Sequence, residues 1–316
     1  MAEQSSNFGW RDYWQENRLA ACVPDNPDSA AEIQAHWTEF FGGLPATARV
    51  LDVATGNGVL IVWAARATRA AGHQLALTGV DLADINPVNF LPEYREDLAR
   101  AHFIGNTAAE SLPLKDSSVD VVVSQYGLEY ADLQRALSEA ARVLVPGGQL
   151  HWLAHGDNSI VVAQGRQQLK DIDVLLASKG PFTEMKAFIE ACATGYKVKR
   201  ATKQLTEALR KAEAYCTANP GATLVRQLCG GILDTANNFE KYRPEDARRW
   251  LEENRQRLRS QRQRIRDLQA ARLSEERLAQ LQLALSTGLW TEPVITSLDV
   301  NAGSDSVGLL IHATRR

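Results

Sequence analysis

Val50-Leu51-Asp52-Val53-Ala54-Thr55-Gly56-Asn57-Gly58-Val59-Leu60 decides the fold. It opens as a short apolar run, the pattern of a buried strand, and passes through a tight Gly-x-Gly turn. Ile61-Val62-Trp63-Ala64-Ala65 then continues the stretch as a helix. A strand ending in a glycine turn over a helix N-terminus is where open α/β sheets hold nucleotide cofactors. Gly56 and Gly58 let the backbone approach a ligand that a Cβ would push away.

Asp52, just before the turn, bears on which cofactor is held. A dinucleotide would set its pyrophosphate against the turn, where a carboxylate repels it. The third glycine of the full dinucleotide motif is also missing. A ligand carrying an ammonium and a sulfonium suits the same carboxylate. The run Leu51 to Gly58 resembles the first motif of class I S-adenosylmethionine-dependent methyltransferases, acidic-x-x-x-Gly-x-Gly. The likeness extends from about Arg49 to Gly156 and resumes at the C-terminus. It implies S-adenosylmethionine as cofactor, held at Asp52, Ala54, Thr55, Gly56, Asn57 and Gly58.

Downstream, Gln74 to Asp81 reads as a second strand ending in a carboxylate. In a βαβ unit an acid roughly 20–30 residues past the glycine turn accepts hydrogen bonds from the ribose hydroxyls. Asp81 is therefore the expected ribose residue, and Leu82 is placed to pack on the adenine. His102-Phe103-Ile104 reads as the third strand and leads to Gly105-Asn106-Thr107-Ala108-Ala109-Glu110-Ser111-Leu112-Pro113. The resembled family commonly has Gly-Asp-Ala-Glu-x-Leu-Pro here, with the aspartate on the adenine amino group. This chain is one residue longer and puts Asn106 or Thr107, followed by Ala108, in that region. A side-chain amide or hydroxyl can still accept from the amine.

Val119-Asp120-Val121-Val122-Val123-Ser124 is a buried central strand ending at Gln125-Tyr126-Gly127-Leu128-Glu129-Tyr130. The resemblance adds Gln125 to the cofactor set. A helix from Leu133 to Leu144 follows, stopped by Pro146-Gly147-Gly148, and then a strand from Gln149 to Ala154. This stretch is similar to small-molecule methyltransferases such as the quinone-ring enzymes. The Asn/Asp-Pro-Pro-Tyr pattern of many nucleic-acid and protein amide N-methyltransferases does not occur at the end of the fourth strand.

The composition is that of an ordinary globular chain: 316 residues, 45% hydrophobic, 23% charged, formal net charge −3. The polar start, Met1 to Asn7, has no signal-peptide core behind it, and no apolar run is long enough to cross a bilayer. Cys22, Cys192, Cys216 and Cys229 lack metal-site or disulfide-framework spacing. A cytoplasmic protein without a metal is the expectation. Phe8, Trp10, Tyr13 and Trp14 precede a Pro24-Asp25-Asn26-Pro27-Asp28 break. Ile33, Trp37, Phe40 and Phe41 then make one apolar stripe on a helix. Residues 1–45 are expected to form an N-terminal helical lid, because such helices roof the active site in the resembled family. Tyr13 and Trp14 are the substrate-lining candidates there.

From about Asp157 to Thr287 only helices are expected. Two shorter ones, broken at Lys179-Gly180-Pro181 and Asn219-Pro220-Gly221, precede a long one opening at Pro244-Glu245-Asp246 and another opening at Ser274. Leu251, Leu258 and Ile265 recur every seven residues among polar and arginine positions, short of a sustained coiled coil. The block carries a net charge of roughly +8 against roughly −11 for the rest. Strand character resumes at Pro293 to Val300, turns at Asn301-Ala302-Gly303-Ser304 and returns from Val307 to His312. Strands joined so closely are antiparallel. The expected architecture is an α/β, Rossmann-like class I methyltransferase sheet ending in such a hairpin. Residues 46–157 and 290–316 would form its core. Residues 158–289 would be an all-helical cap inserted between the fifth and sixth strands.

Methyl transfer from a sulfonium is an in-line substitution that needs alignment and little acid–base help. Candidate bases lie where the fourth and fifth strands end: His155 first, then Glu129, with Tyr130 and Tyr126 orienting or lining the acceptor. The expected function is methylation of a small or medium organic acceptor under the helical cap. One alternative is a protein or peptide methyltransferase with a basic docking cap. Another is a cofactor-binding regulatory protein without turnover. The arginines of the long helix spread around it and suit a solvated arm, an anionic substrate, a homodimer contact or a membrane surface better than nucleic acid, because the whole chain is slightly acidic.

Overall fold

The computed structural model describes residues 10, 13–15, 18–22, 27–300 and 305–316. Phe8, Pro24 to Asn26 and the 301–304 turn lie outside the described residues. The chain divides into two compact units, Met1–Ala163 with Asp267–Arg316, and Gln164–Arg266.

The first unit is built on a seven-stranded sheet. Its strands are β1 (Arg49–Val53), β2 (Ala76–Val80), β3 (Ala101–Ile104), β4 (Val119–Gln125), β5 (Leu144–Ala154), β6 (Trp290–Val300) and β7 (Asp305–Arg315). Their order is β3-β2-β1-β4-β5-β7-β6. The first five are parallel, and β7 runs antiparallel between β5 and β6. The order reverses between β1 and β4, and ligands of open α/β sheets bind outside the strand ends at such a reversal. Both faces of the central strands are covered, so Val121, Val122 and Val123 are all buried and their run shows no alternation.

Three helices position this sheet. α1 (Pro27–Gly42) lays Ile33, Trp37 and Phe41 into the core beside α2 (Val59–Ala70). Phe40 is half-buried instead, its ring stacked on His151 at 4.0 Å. α3 (Leu133–Val143) starts at Asp132, whose Oδ1 accepts the Arg135 N–H at 3.0 Å and so satisfies an orphan donor of the first turn. It buries Leu133, Leu137, Ala140 and Ala141. β5 begins at Leu144 rather than Gln149. Pro146-Gly147-Gly148 is a bulge inside the strand: Val119 pairs with Leu144, and the register then jumps so that Val121 pairs with Gln149. Gly147, at φ +79°, supplies the left-handed residue this needs.

Between β5 and β6 the chain is helical: α4 (Ile160–Leu176), α5 (Pro181–Thr194), α6 (Val198–Ala218), α7 (Thr223–Asn237), α8 (Pro244–Ala271) and α9 (Glu275–Leu285). Four helices, not two, precede α8. The unforeseen break is at Gly195-Tyr196-Lys197, where Gly195 and Lys197 both take left-handed backbone. The compact helical unit is narrower than residues 158–289, because α9 buries Leu281, Ala284 and Leu285 in the cluster that holds Leu137 and Trp152 of the sheet unit. Within residues 164–266, Leu251, Leu258 and Ile265 are buried with Ile172, Phe182 and Met185. The seven-residue stripe is thus a core stripe. Arg248 pairs with Glu190 at 2.8 Å and Arg262 with Asp173 at 2.7 Å. No helix among the described residues is long and apolar enough to cross a membrane.

Candidate functional site

The turn after β1 is fastened from inside. Asp52 is 1% exposed, and its Oδ2 accepts the Thr55 hydroxyl at 2.6 Å. Burial pushes its pKa up to about 8 against the opposing Thr55 hydrogen bond, so the carboxyl is largely protonated at neutral pH. It faces Thr55 and holds the turn. The Thr55 N–H donates to the Val80 carbonyl at 2.9 Å, tying the turn to β2. Ala54, Gly56 and Gly58 have φ of +58°, +54° and +81°; left-handed backbone at three of five positions needs the glycines.

Asp81 joins this turn to the next loop. Its Oδ2 accepts the Gly56 N–H and its Oδ1 the Ala83 N–H, both at 2.8 Å. Burial pushes its pKa up to about 6, the two backbone donors opposing. Leu82 beside it is 52% exposed. The Thr107 N–H donates to the Asp81 carbonyl at 2.8 Å and its hydroxyl to Gly105 at 3.1 Å. Asn106 is exposed with φ +53°, and Ala108 is half-buried. The loops after β1, β2 and β3 therefore converge on one edge of the sheet.

Asn57 reaches the other way. Its Nδ2 donates to the carbonyls of Trp14 at 2.8 Å and Arg18 at 2.7 Å. The Trp14 indole lies flat in the cradle left by Gly56, where a Cβ would stand 2.4 Å from the ring. Tyr13 packs edge-on to Trp14, and Trp10 stacks on it at 6.0 Å. Two buried acceptors here, Asn57 Oδ1 and Gln125 Oε1, have no donor among the described residues.

The ends of β4 and β5 bring a second group together. His155 and Glu129 are both wholly buried, with Nδ1 and Oε1 2.6 Å apart. Glu129 also accepts the His155 backbone N–H at 2.9 Å and the Trp152 indole N–H at 3.1 Å. Burial pushes the imidazole down, but Cys22 and Glu129 outweigh it and its pKa is pushed up to about 10. A buried carboxylate with three donors is well satisfied, and an imidazolium beside it is the form the pair favours. Tyr126 stacks on His155 at 4.4 Å, and its hydroxyl donates to the Val307 carbonyl at 3.0 Å. Tyr130 stands edge-on to His155 at 6.0 Å.

Asp81 and the turn residues thus lie together, Gln125 ends β4, and His155, Glu129, Tyr126 and Tyr130 form a further cluster. Trp14 lies on the Gly56 turn, and Tyr13 packs on Trp14. Trp152 joins the His155 cluster without any forewarning; it lies at no motif spacing from Glu129, so only tertiary contact reveals it.

A mostly parallel sheet of this order with an antiparallel last strand is an α/β, Rossmann-like fold. Residues 51–152 match the family model described as a methyltransferase domain. The chain is 37% identical over 109 residues to an uncharacterized methyltransferase of Mycobacterium tuberculosis, covering 34% of this chain and 40% of that one. It is 30% identical over 163 residues to a ubiquinone/menaquinone biosynthesis C-methyltransferase of Rickettsia felis, covering 46% of this chain and 64% of that one. The matched region thus spans about two fifths to just under two thirds of these relatives' lengths. Among solved structures, a geranyl diphosphate C-methyltransferase from Streptomyces coelicolor, in complex with S-adenosyl-L-homocysteine, gives a TM-score of 0.37 at 15% identity, over 48% of this chain and 65% of its own.

Proposed function

We propose that the protein is an S-adenosylmethionine-dependent methyltransferase acting on a small or medium organic acceptor. The observation that carries the reading is the Asp81 bridge across the Gly56 turn, flanked by acceptors that lack donors. Gln125 Oε1 and Asn57 Oδ1 suit the ammonium of the methionine end. The exposed Leu82 side chain suits an adenine face, and the remaining lone pairs of Asp81 suit the ribose hydroxyls. The cradle over Gly56 takes a flat group in close contact, as the Trp14 ring does. Binding against the turn therefore displaces that indole. When bound, the cofactor supplies an electrophilic methyl on a sulfonium.

The His155–Glu129 pair then acts as one unit. With its proton held, His155 orients an anionic or enolic oxygen of the acceptor, Glu129 keeps the ring from turning, and Tyr126 and Tyr130 wall the space. An acceptor that is already nucleophilic needs no stronger base. The cytoplasm is the compartment we propose, and the helical residues 158–289 are the part we assign to acceptor choice. Transfer of labelled methyl to a panel of small carboxylates, phenols and acidic-carbon compounds tests the reading. His155→Gln is expected to lower kcat by roughly 100-fold while S-adenosylmethionine binding persists. Full turnover in that variant would remove His155 from the reaction, and transfer only to a protein would replace the acceptor class.

A further inference from the structure

Arg277 stands in the first turn of α9 with its charge unmatched. Its Nη2 donates to the Glu129 backbone carbonyl at 2.6 Å, while the Glu129 carboxylate is turned to His155 and Trp152. The Nε N–H is buried without an acceptor among the described residues, and no carboxylate among them pairs with the guanidinium. Arg272 nearby is different, since it pairs with Asp157 at 2.6 Å. A half-buried guanidinium with idle N–H groups marks a place for an acceptor that the chain itself does not supply.

The same residue lines a groove of about 340 Å³ between α3 and α9. Leu133, Leu283 and Ala284 give the groove an apolar wall, and Leu283 is 72% exposed. Asp132 also lines it, but its Oδ1 accepts the Arg135 N–H at the start of α3. Arg277 is the one cation of the lining among the described residues.

We propose that this groove binds a small amphipathic carboxylate, its anionic end on Arg277 and its hydrocarbon end along Leu133, Leu283 and Ala284. The two oxygens of a carboxylate match the planar fork of a guanidinium. The apolar wall beside it suits a hydrocarbon tail, which an inorganic anion lacks. Because the same guanidinium holds the Glu129 carbonyl, the groove lies against the turn that presents Glu129 to His155.

Ligand-observed NMR with hexanoate on the folded chain, without any methyl donor, tests the site. Hexanoate is expected to bind with a Kd of about 1 mM, the strength that so small a ligand reaches. Hexylammonium, of similar length and opposite charge, should bind about tenfold more weakly or not at all. Arg277→Gln should weaken hexanoate by about tenfold or more. Leu283→Asp, at an exposed position, should weaken it comparably by removing apolar wall and adding a like charge. No hexanoate binding by folded wild type would overturn the proposal, as would hexylammonium or inorganic phosphate binding equally well. Undiminished binding by folded Leu283→Asp would overturn it too, even where Arg277→Gln fails to fold. Because no methyl donor is present, failure here is separate from failure of the methyl-transfer reading.

Discussion

Asp52 holds a proton that exposed aspartates have lost, and stability should record it. Its pKa rises from 3.8 to about 8 on burial. A raised folded-state value contributes stability that is fully present below the unfolded value and lost as pH rises through the folded one. Asp52→Asn keeps the shape and an acceptor for Thr55 but cannot ionise. Between pH 5 and pH 8.5, wild type should therefore lose roughly 2 kcal/mol or more relative to that variant, read by urea unfolding. Curves that keep a constant separation across that range would contradict the account. At this scale the sequence was informative where partners are close along the chain. Asp81 and the Gly56 turn follow from spacing within one βαβ unit. The Trp152 hydrogen bond to Glu129 does not, because tertiary packing alone makes it. The apparent role of Asp52 also changed: spacing put a carboxylate near the ligand, while burial turned it onto Thr55.

At the scale of elements, the segment carrying Trp14 depends on one side chain of the turn after β1. Asn57 is wholly buried and holds the carbonyls of Trp14 and Arg18. Asn57→Ala removes both bonds, a loss of about 1–3 kcal/mol in a buried setting. Trypsin should then cut after Arg18 roughly tenfold faster than in wild type, while the fold of the sheet persists. An unchanged cutting rate would show that the aromatic contacts of Trp14 hold the segment unaided. The aromatic residues themselves are plain in the sequence, but hydrophobic pattern cannot say which ring lies on which turn. β5 was misjudged for a related reason. Pro-Gly-Gly reads as a stop, and only pairing with β4 turns it into a bulge within a strand. The hairpin of β6 and β7 was legible because its connection is too short for a parallel return.

For the whole molecule, the alternation of strand and helix patterns up to Ala154 made the sheet legible, and the loss of strand pattern made the helical region legible. Its boundary was not, since α9 is amphipathic like the helices before it and only its packing on Leu137 and Trp152 assigns it to the sheet unit. The helical unit has its own core, so Leu258→Ala, at a residue 3% exposed, should destabilise that unit by about 2–5 kcal/mol. Hydrogen exchange should show the loss within residues 164–266 first; uniform exchange across both units would mean that they unfold as one. The central claim is that the Asp81-bridged turn binds S-adenosylmethionine. Calorimetric titration with S-adenosylmethionine and S-adenosylhomocysteine, on wild type and Asp81→Ala, tests it most directly. The account predicts micromolar binding by wild type, weakened roughly tenfold or more in the variant as hydrogen bonds to the ribose are lost. No heat of binding from folded wild type with either ligand would contradict it.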